Sequence, residues 1–206
     1  MDSPLRKRSF GPLQKGQRRK REIVDAAIRA IATEGLHRCT LEAVARALQV
    51  QRAHVAYHYP TIEALWGACF EETVRVGQEH TQSSIQEADD PRKTLMKIVD
   101  SFFLWADEQP AHAAVQLAFY HWAEVDAEFR RVHANVRAVA LERLGFVLQA
   151  GYRLSASEAR RVAVRIHCLL FGSLMLVHSL QGEKGAPTLL QLQADAHSAI
   201  FEALPR

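Results

Sequence analysis

The chain has 206 residues, 48% of them hydrophobic and 24% charged, which excludes disorder over most of its length and supplies apolar material for one or two cores. Its net charge of +3 is unevenly placed: residues 1–22 hold eight Lys/Arg against two acids, a net +6, and the remaining 18 Lys/Arg against 21 Asp/Glu leave the body at −3. No run approaches the ~18 apolar residues of a bilayer span, and the start lacks the apolar segment of a secretory signal, so a cytoplasmic protein that enters no membrane is expected.

Helical spacing recurs along almost the whole chain. Over about 18–34, Ile23, Ala27, Ala30 and Ile31 fall on one face, and Gly35 is placed to end the helix in a left-handed conformation. Thr40 offers an N-cap hydroxyl to a short helix over about 41–48, with Val44, Ala45 and Leu48 inward and Glu42 near its positive end. A third short helix follows within a residue or two, from about 51 to 57, and Pro60 soon stops it. After Thr61 a fourth, reaching about 87, carries Ile62, Leu65, Trp66, Cys69, Thr73 and Val76 on one face and is expected to link two domains. Pro91 and Pro110 suit the first position of the next two helices, one containing Phe102 and Phe103, the other running through Trp122. A long helix over about 126–150 has Val132, Val136, Val139, Ala140, Leu144, Val147 and Leu148 as its apolar set and Gly151 as its expected stop. Ser155 and Glu158 form a capping box for a helix to about 180, apolar nearly all round at 169–177. Thr188 caps the last helix, to about 204. No sustained alternation marks a strand, and the fold class expected is all-α.

Residues 40–59 say most about function. Two short helices joined by a tight turn, with Ala45, Val50 and Val55 placed to pack together, read as a helix-turn-helix whose second member can enter a DNA major groove. With its flanks this stretch resembles the N-terminal DNA-binding domain of the tetracycline-repressor (TetR) family. The motifs are the basic start of the first helix, E-G-L at 34–36, T-L-E-A-V-A at 40–45, V-Q-R-A at 50–53, Y-H-Y at 57–59 and E-A-L at 63–65. Beyond about fifty residues the likeness is one of length and helix count.

The resemblance implies a basic arm over 1–17, a three-helix DNA-binding domain over 18–61, and a larger helical effector-binding and dimerisation domain, with its linking helix, over 62–206. It implies a dimeric repressor, not an enzyme, released from a near-palindromic double-stranded operator by a small, partly apolar effector, with no cofactor and no metal. Residue by residue, Gln51, Arg52 and His54 would meet base edges, while Lys20, Arg21, Thr40, Tyr57 and His58 would meet phosphates. Tyr59 stands where the family buries Phe. Three positions depart from the family: Gln49 replaces a turn glycine, at roughly 1 kcal/mol if the backbone is left-handed; Ala56 replaces a frequent tyrosine; Ile62 replaces a lysine that faces phosphate. The arm could compensate with phosphate or minor-groove contacts.

For the body, the resemblance suggests an effector pocket, which the aromatic and soft residues Met96, Phe102, Phe103, Trp105, Phe119, Tyr120 and Trp122, with Phe171 and Met175, would line and His121 or His167 would edge; plain core packing is the alternative for each. The last two helices would form the two-fold interface through Leu169, Gly172, Ser173 and Leu176 on one and Leu192, Ala196 and Ile200 on the other. Competing chemistry is thin. His54 and His58 share an i, i+4 face without a third ligand, and Cys168 is only a sequence neighbour of His167. The odd, scattered cysteines Cys39, Cys69 and Cys168 suggest neither disulfides nor a zinc site. A membrane-surface adaptor using the basic arm is the second class of reading, weakened because Pro4, Gly11, Pro12 and Gly16 break any amphipathic anchor.

Overall fold

The computed structural model describes residues 15–86 and 89–205, and the described residues contain helices and no strand. The expected arm lies outside them except for its last three residues, which belong to α1 (Lys15–Glu34). Gly35, at φ 87°, ends α1 with its N–H on the Ile31 carbonyl at 3.0 Å. A 3-10 turn (Leu36–Arg38) leads to α2 (Leu41–Ala47), where the Thr40 hydroxyl accepts the Ala43 N–H at 3.1 Å. α3 (Arg52–His58) follows a turn in which Gln49 holds φ 56° and the Val50 N–H reaches back to the Ala45 carbonyl at 2.9 Å. The turn is thus left-handed without glycine, as its sequence position suggests.

α4 (Ile62–Ser84) is capped by Thr61, and α5 (Pro91–Glu108) by Asp90, whose carboxylate accepts the N–H groups of Arg92 and Lys93. α6 (Pro110–Val125), α7 (Ala127–Tyr152), α8 (Ala156–Ser179) and α9 (Leu189–Phe201) complete the body, the last two started by capping boxes at Ser155 and Thr188. α9 stops three residues short of the expected end.

Gly151 does not stop α7. The helix passes through it to Tyr152, and Arg153 takes the left-handed position, at φ 53° and ψ 31°. Gly151 serves close approach instead: a Cβ there would lie 3.1 Å from Pro91 Cβ and 3.3 Å from the Arg92 nitrogen, so only glycine lets the end of α7 touch the start of α5 without displacement. Val132 and Val139, assigned to the inner face of α7 by periodicity, are exposed.

The first core runs from the DNA-binding helices into the body. Ile23, Ala27, Val44, Val55 and Leu65 form a fully buried cluster that continues through Phe70 into Phe119, Trp122 and Phe129 of the body. Phe70 touches Phe119 and Phe129 edge-on at 5.2 and 5.0 Å between centroids and lies 5.7 Å from the His133 ring. A second core joins α5, α7, α8 and α9 through Leu95, Val99, Phe103, Leu148, Ile166 and Ile200. Among the described helices α8 alone is long and apolar enough to cross a membrane by length and composition. One 18-residue window of it has a mean hydropathy of 1.6, and 28% of that window is buried.

Candidate nucleic-acid interface and internal cavity

α3 is fixed from beneath and free above. Val55 is fully buried, whereas Gln51, Arg52 and His54 are exposed and Tyr57 is 83% exposed. The three residues expected to read bases therefore lie on the outer face. The Arg52 guanidinium is held by the Glu42 carboxylate of α2 in an exposed pair, so a guanine contact requires it to leave or share that carboxylate. Tyr57 stacks edge-on with His58 at 5.1 Å. Burial, followed by the charges of Lys20, His54 and Arg19, holds the His58 imidazole below its ordinary range, so its surroundings are already positive.

Around this face, Lys20 is exposed with no carboxylate in reach among the described residues. Arg18 and Arg19 pair with Glu22 at 3.2 and 2.7 Å. Arg21, expected at a phosphate, turns toward Glu72 of α4 at 3.7 Å and ties α1 to the linking helix. Thr40 caps α2 from an exposed position.

The body holds a partly open cavity of about 710 Å³ between α4, α5, α6, α7 and α8, within the size range of small-molecule sites. Five expected residues line it: Phe102, Trp105, Tyr120, His167 and Phe171. The other six do not. Phe103 belongs to the second core, and Phe119 and Trp122 fill the first core behind Phe70. His121 points outward beside Glu124, Met96 is exposed on α5, and Met175 is 60% exposed on the outer face of α8. Successive helical residues differ by about 100° in direction, so Phe119, Tyr120 and His121 meet three different environments.

Sequence reading missed Gln116, and also His133 and Arg137 on α7. Their signal was present but weak: His133, Val136, Arg137, Ala140, Leu144 and Val147 repeat at three- and four-residue spacing on one side of α7. Polar contacts are arranged around an aromatic lining. The Tyr120 hydroxyl lies 3.1 Å from His167 Nε2, and Tyr120 meets His133 at 4.6 Å and Phe171 at 5.3 Å between centroids. Phe102 touches Phe171 and Trp105 at 5.3 and 5.9 Å. Burial, then Arg137, lowers His133, and the same two causes bring His167 down to about 4, while burial pushes Tyr120 up to about 12.

The expected interface residues divide between outside and inside. Leu176 and Gly172 face outward on α8, and Leu169 is half-buried. Ser173 is buried, its hydroxyl donating to the Leu169 carbonyl at 2.9 Å. Leu192, Ala196 and Ile200 pack inward against the second core and are corrected as interface candidates, because α9 uses that stripe to cover its own chain. The outward apolar residues are Val164, Met175 and Leu176 on α8 and Leu190 on α9.

An outward-facing helix-turn-helix seated on a helical body defines the class: a helix-turn-helix transcriptional regulator. Residues 23–69 match the bacterial regulatory proteins of the tetR family, and residues 91–200 match the C-terminal domain of BetI-type transcriptional repressors. The chain belongs to the tetR family, with a BetI-type body. It is 25% identical over 175 residues to the HTH-type transcriptional regulator BetI of Rhizobium meliloti, covering 84% of this chain and 82% of that one. It is 27% identical over 159 residues to BetI of Burkholderia ambifaria, covering 75% and 79%. The fold is shared with a transcriptional regulator from Saccharomonospora viridis solved in complex with choline, at a TM-score of 0.81 and 17% identity over 91% of this chain and 97% of that one.

Proposed function

We propose that this chain is a dimeric repressor, held in the cytoplasm on a near-palindromic operator and released when a small molecule enters the α4–α8 cavity. The observation that carries the reading is the double duty of α4. Its first half places Leu65, Cys69 and Phe70 in the DNA-binding core, and its second half, from Thr73 to Ile85, walls the cavity. Anything that moves the cavity wall moves the helix on which the DNA-binding domain rests, which is what coupling between two sites requires. Gln51, Arg52 and His54 serve as base readers, and Lys20, Thr40, Tyr57 and His58 as phosphate contacts; Arg21 acts first as the tie to Glu72.

Dimerisation is supported by α8. Its inner stripe of Ala159, Ala163, Ile166, Leu170 and Leu174 is buried in its own chain, so this helix is not free to enter lipid as a span. The opposite stripe, Val164, Met175 and Leu176 with the small Gly172, is apolar and uncovered, as a two-fold interface of packed helices would be. Two copies would bring two α3 helices to successive major-groove faces, about 34–36 Å apart.

Selection of bound duplexes from random DNA by the purified protein tests the proposal. Enrichment of one inverted repeat, bound by two chains, is expected. A single unrepeated half-site, or no enrichment, overturns it. Met175→Arg is expected to convert the particle to single chains and abolish cooperative binding to the repeat; an unchanged sedimentation coefficient would remove α8 from the interface.

A further inference from the structure

The aromatic lining of the cavity, taken alone, suits a quaternary ammonium ion as well as it suits any flat apolar group. The charges around that lining decide otherwise. Among the lining residues Glu142 is the sole carboxylate, and it stands exposed on α7, next in sequence to Arg143. Arg137 also lines the cavity and has no carboxylate within salt-bridge distance among the described residues. Two guanidinium groups against one carboxylate leave the lining at a net +1.

The two imidazoles of the lining add no positive charge of their own. His133 and His167 are held unprotonated at neutral pH by burial and by the charge of Arg137. Burial penalises a charge of either sign, so the preference between ligand ions rests on the fixed guanidinium groups of the lining. The polar groups that face a ligand are well suited to an oxygen acceptor. Arg137 offers a planar set of N–H donors. Tyr120 and His167 share one hydrogen across 3.1 Å, and with the proton on His167 Nε2 the phenol is left free to donate inward.

Resting on the reading of this cavity as the effector site, we infer that its ligand is an amphipathic carboxylate, with the carboxylate between Arg137 and the Tyr120 hydroxyl and the apolar body against Phe102, Trp105 and Phe171. The volume of about 710 Å³ leaves room for an unbranched or cyclic apolar body beyond the head group. The chemistry differs from that of choline, the molecule bound in the Saccharomonospora viridis structure.

Calorimetric titration of the full chain at fixed ionic strength, with octanoate, octan-1-ol, octyltrimethylammonium and choline as probes, tests the inference. Octanoate is expected to bind at least tenfold more tightly than octyltrimethylammonium, with octanol between them. Arg137→Gln, at an exposed position, is expected to bring octanoate level with octanol and to leave octanol within twofold of its original affinity. Tightest binding by octyltrimethylammonium or choline overturns the carboxylate assignment and leaves the effector cavity standing. Octanoate binding that ignores Arg137→Gln overturns the assignment as well. Absence of heat with all four probes, from protein that still binds its selected duplex, overturns both the ligand class and the effector reading of the cavity.

Discussion

The recognition face and the cavity are built on opposite principles. The face belongs to one seven-residue helix and its sequence neighbours; once Val55 is buried, the directions of Gln51, Arg52, His54 and Tyr57 follow from helical geometry. The cavity draws its wall from five helices, and no single helix determines which side chain reaches it. Phe119, Tyr120 and His121 make the contrast concrete: neighbours in sequence, they serve a core, a cavity and a surface. A site made by one element can be read from order and spacing, whereas a site made between elements depends on how they pack.

Phe70 is where the two regions meet, and its removal is the harshest test of their separateness. Phe70→Ala is expected to cost about 3–5 kcal/mol in chemical denaturation, as for other large aromatic truncations in packed cores. A loss below about 1 kcal/mol would show that the DNA-binding core and the cavity wall are energetically independent. At the recognition face, Gln51→Ala and Arg52→Ala are each expected to lose about 1–3 kcal/mol of discrimination between the selected duplex and base-changed versions, while Tyr57→Phe weakens all duplexes alike. Identical behaviour of the three variants in binding titrations would erase the division between base readers and phosphate contacts.

Acid should affect the cavity side more than the recognition side. His112, His133 and His167 are all lowered, with burial as the first cause, so the unfolded chain binds protons that the folded chain refuses. Their contribution to stability is complete above the ordinary imidazole value near 6.5 and is lost as pH falls from there toward about 4, where His167 itself takes its proton. The melting temperature is expected to fall between pH 7 and pH 5, and His167→Gln to shrink that fall; an unchanged slope would remove His167 from the acid response. The smallest effect is expected at the turn. Gln49→Gly relieves a left-handed side chain and should stabilise the chain by about 1 kcal/mol without altering duplex preference.

Much of the fold was legible in the sequence because its boundaries are local chemistry. Thr40, Thr61, Ser155 and Thr188 cap the helices they precede, and Pro91 and Pro110 open theirs. The tertiary use of each helix was less legible. Gly151 has the composition of a stop and the job of a contact with Pro91. Leu192, Ala196 and Ile200 form a proper apolar stripe, yet periodicity cannot distinguish a stripe that covers its own chain from one that covers a partner. The same ambiguity hid His133, buried on α7, and Arg137, exposed at the cavity, on a helix whose flanking valines Val132 and Val139 are exposed. Arg52 and Arg21 were assigned through the family resemblance, but the carboxylates that hold them, Glu42 and Glu72, come from other helices.

The three tryptophans are distributed so that the molecule carries its own optical labels. Trp105 stands in the cavity wall, where an occupant would alter its emission directly. Trp66 and Trp122 meet edge-on at 5.3 Å beneath the DNA-binding domain, with the Trp66 indole N–H on the Cys39 carbonyl at 3.3 Å. Replacing either set with phenylalanine would give a spectroscopic view of one region at a time, and the order in which the two signals change after rapid mixing would show whether occupancy of the body precedes movement at the duplex.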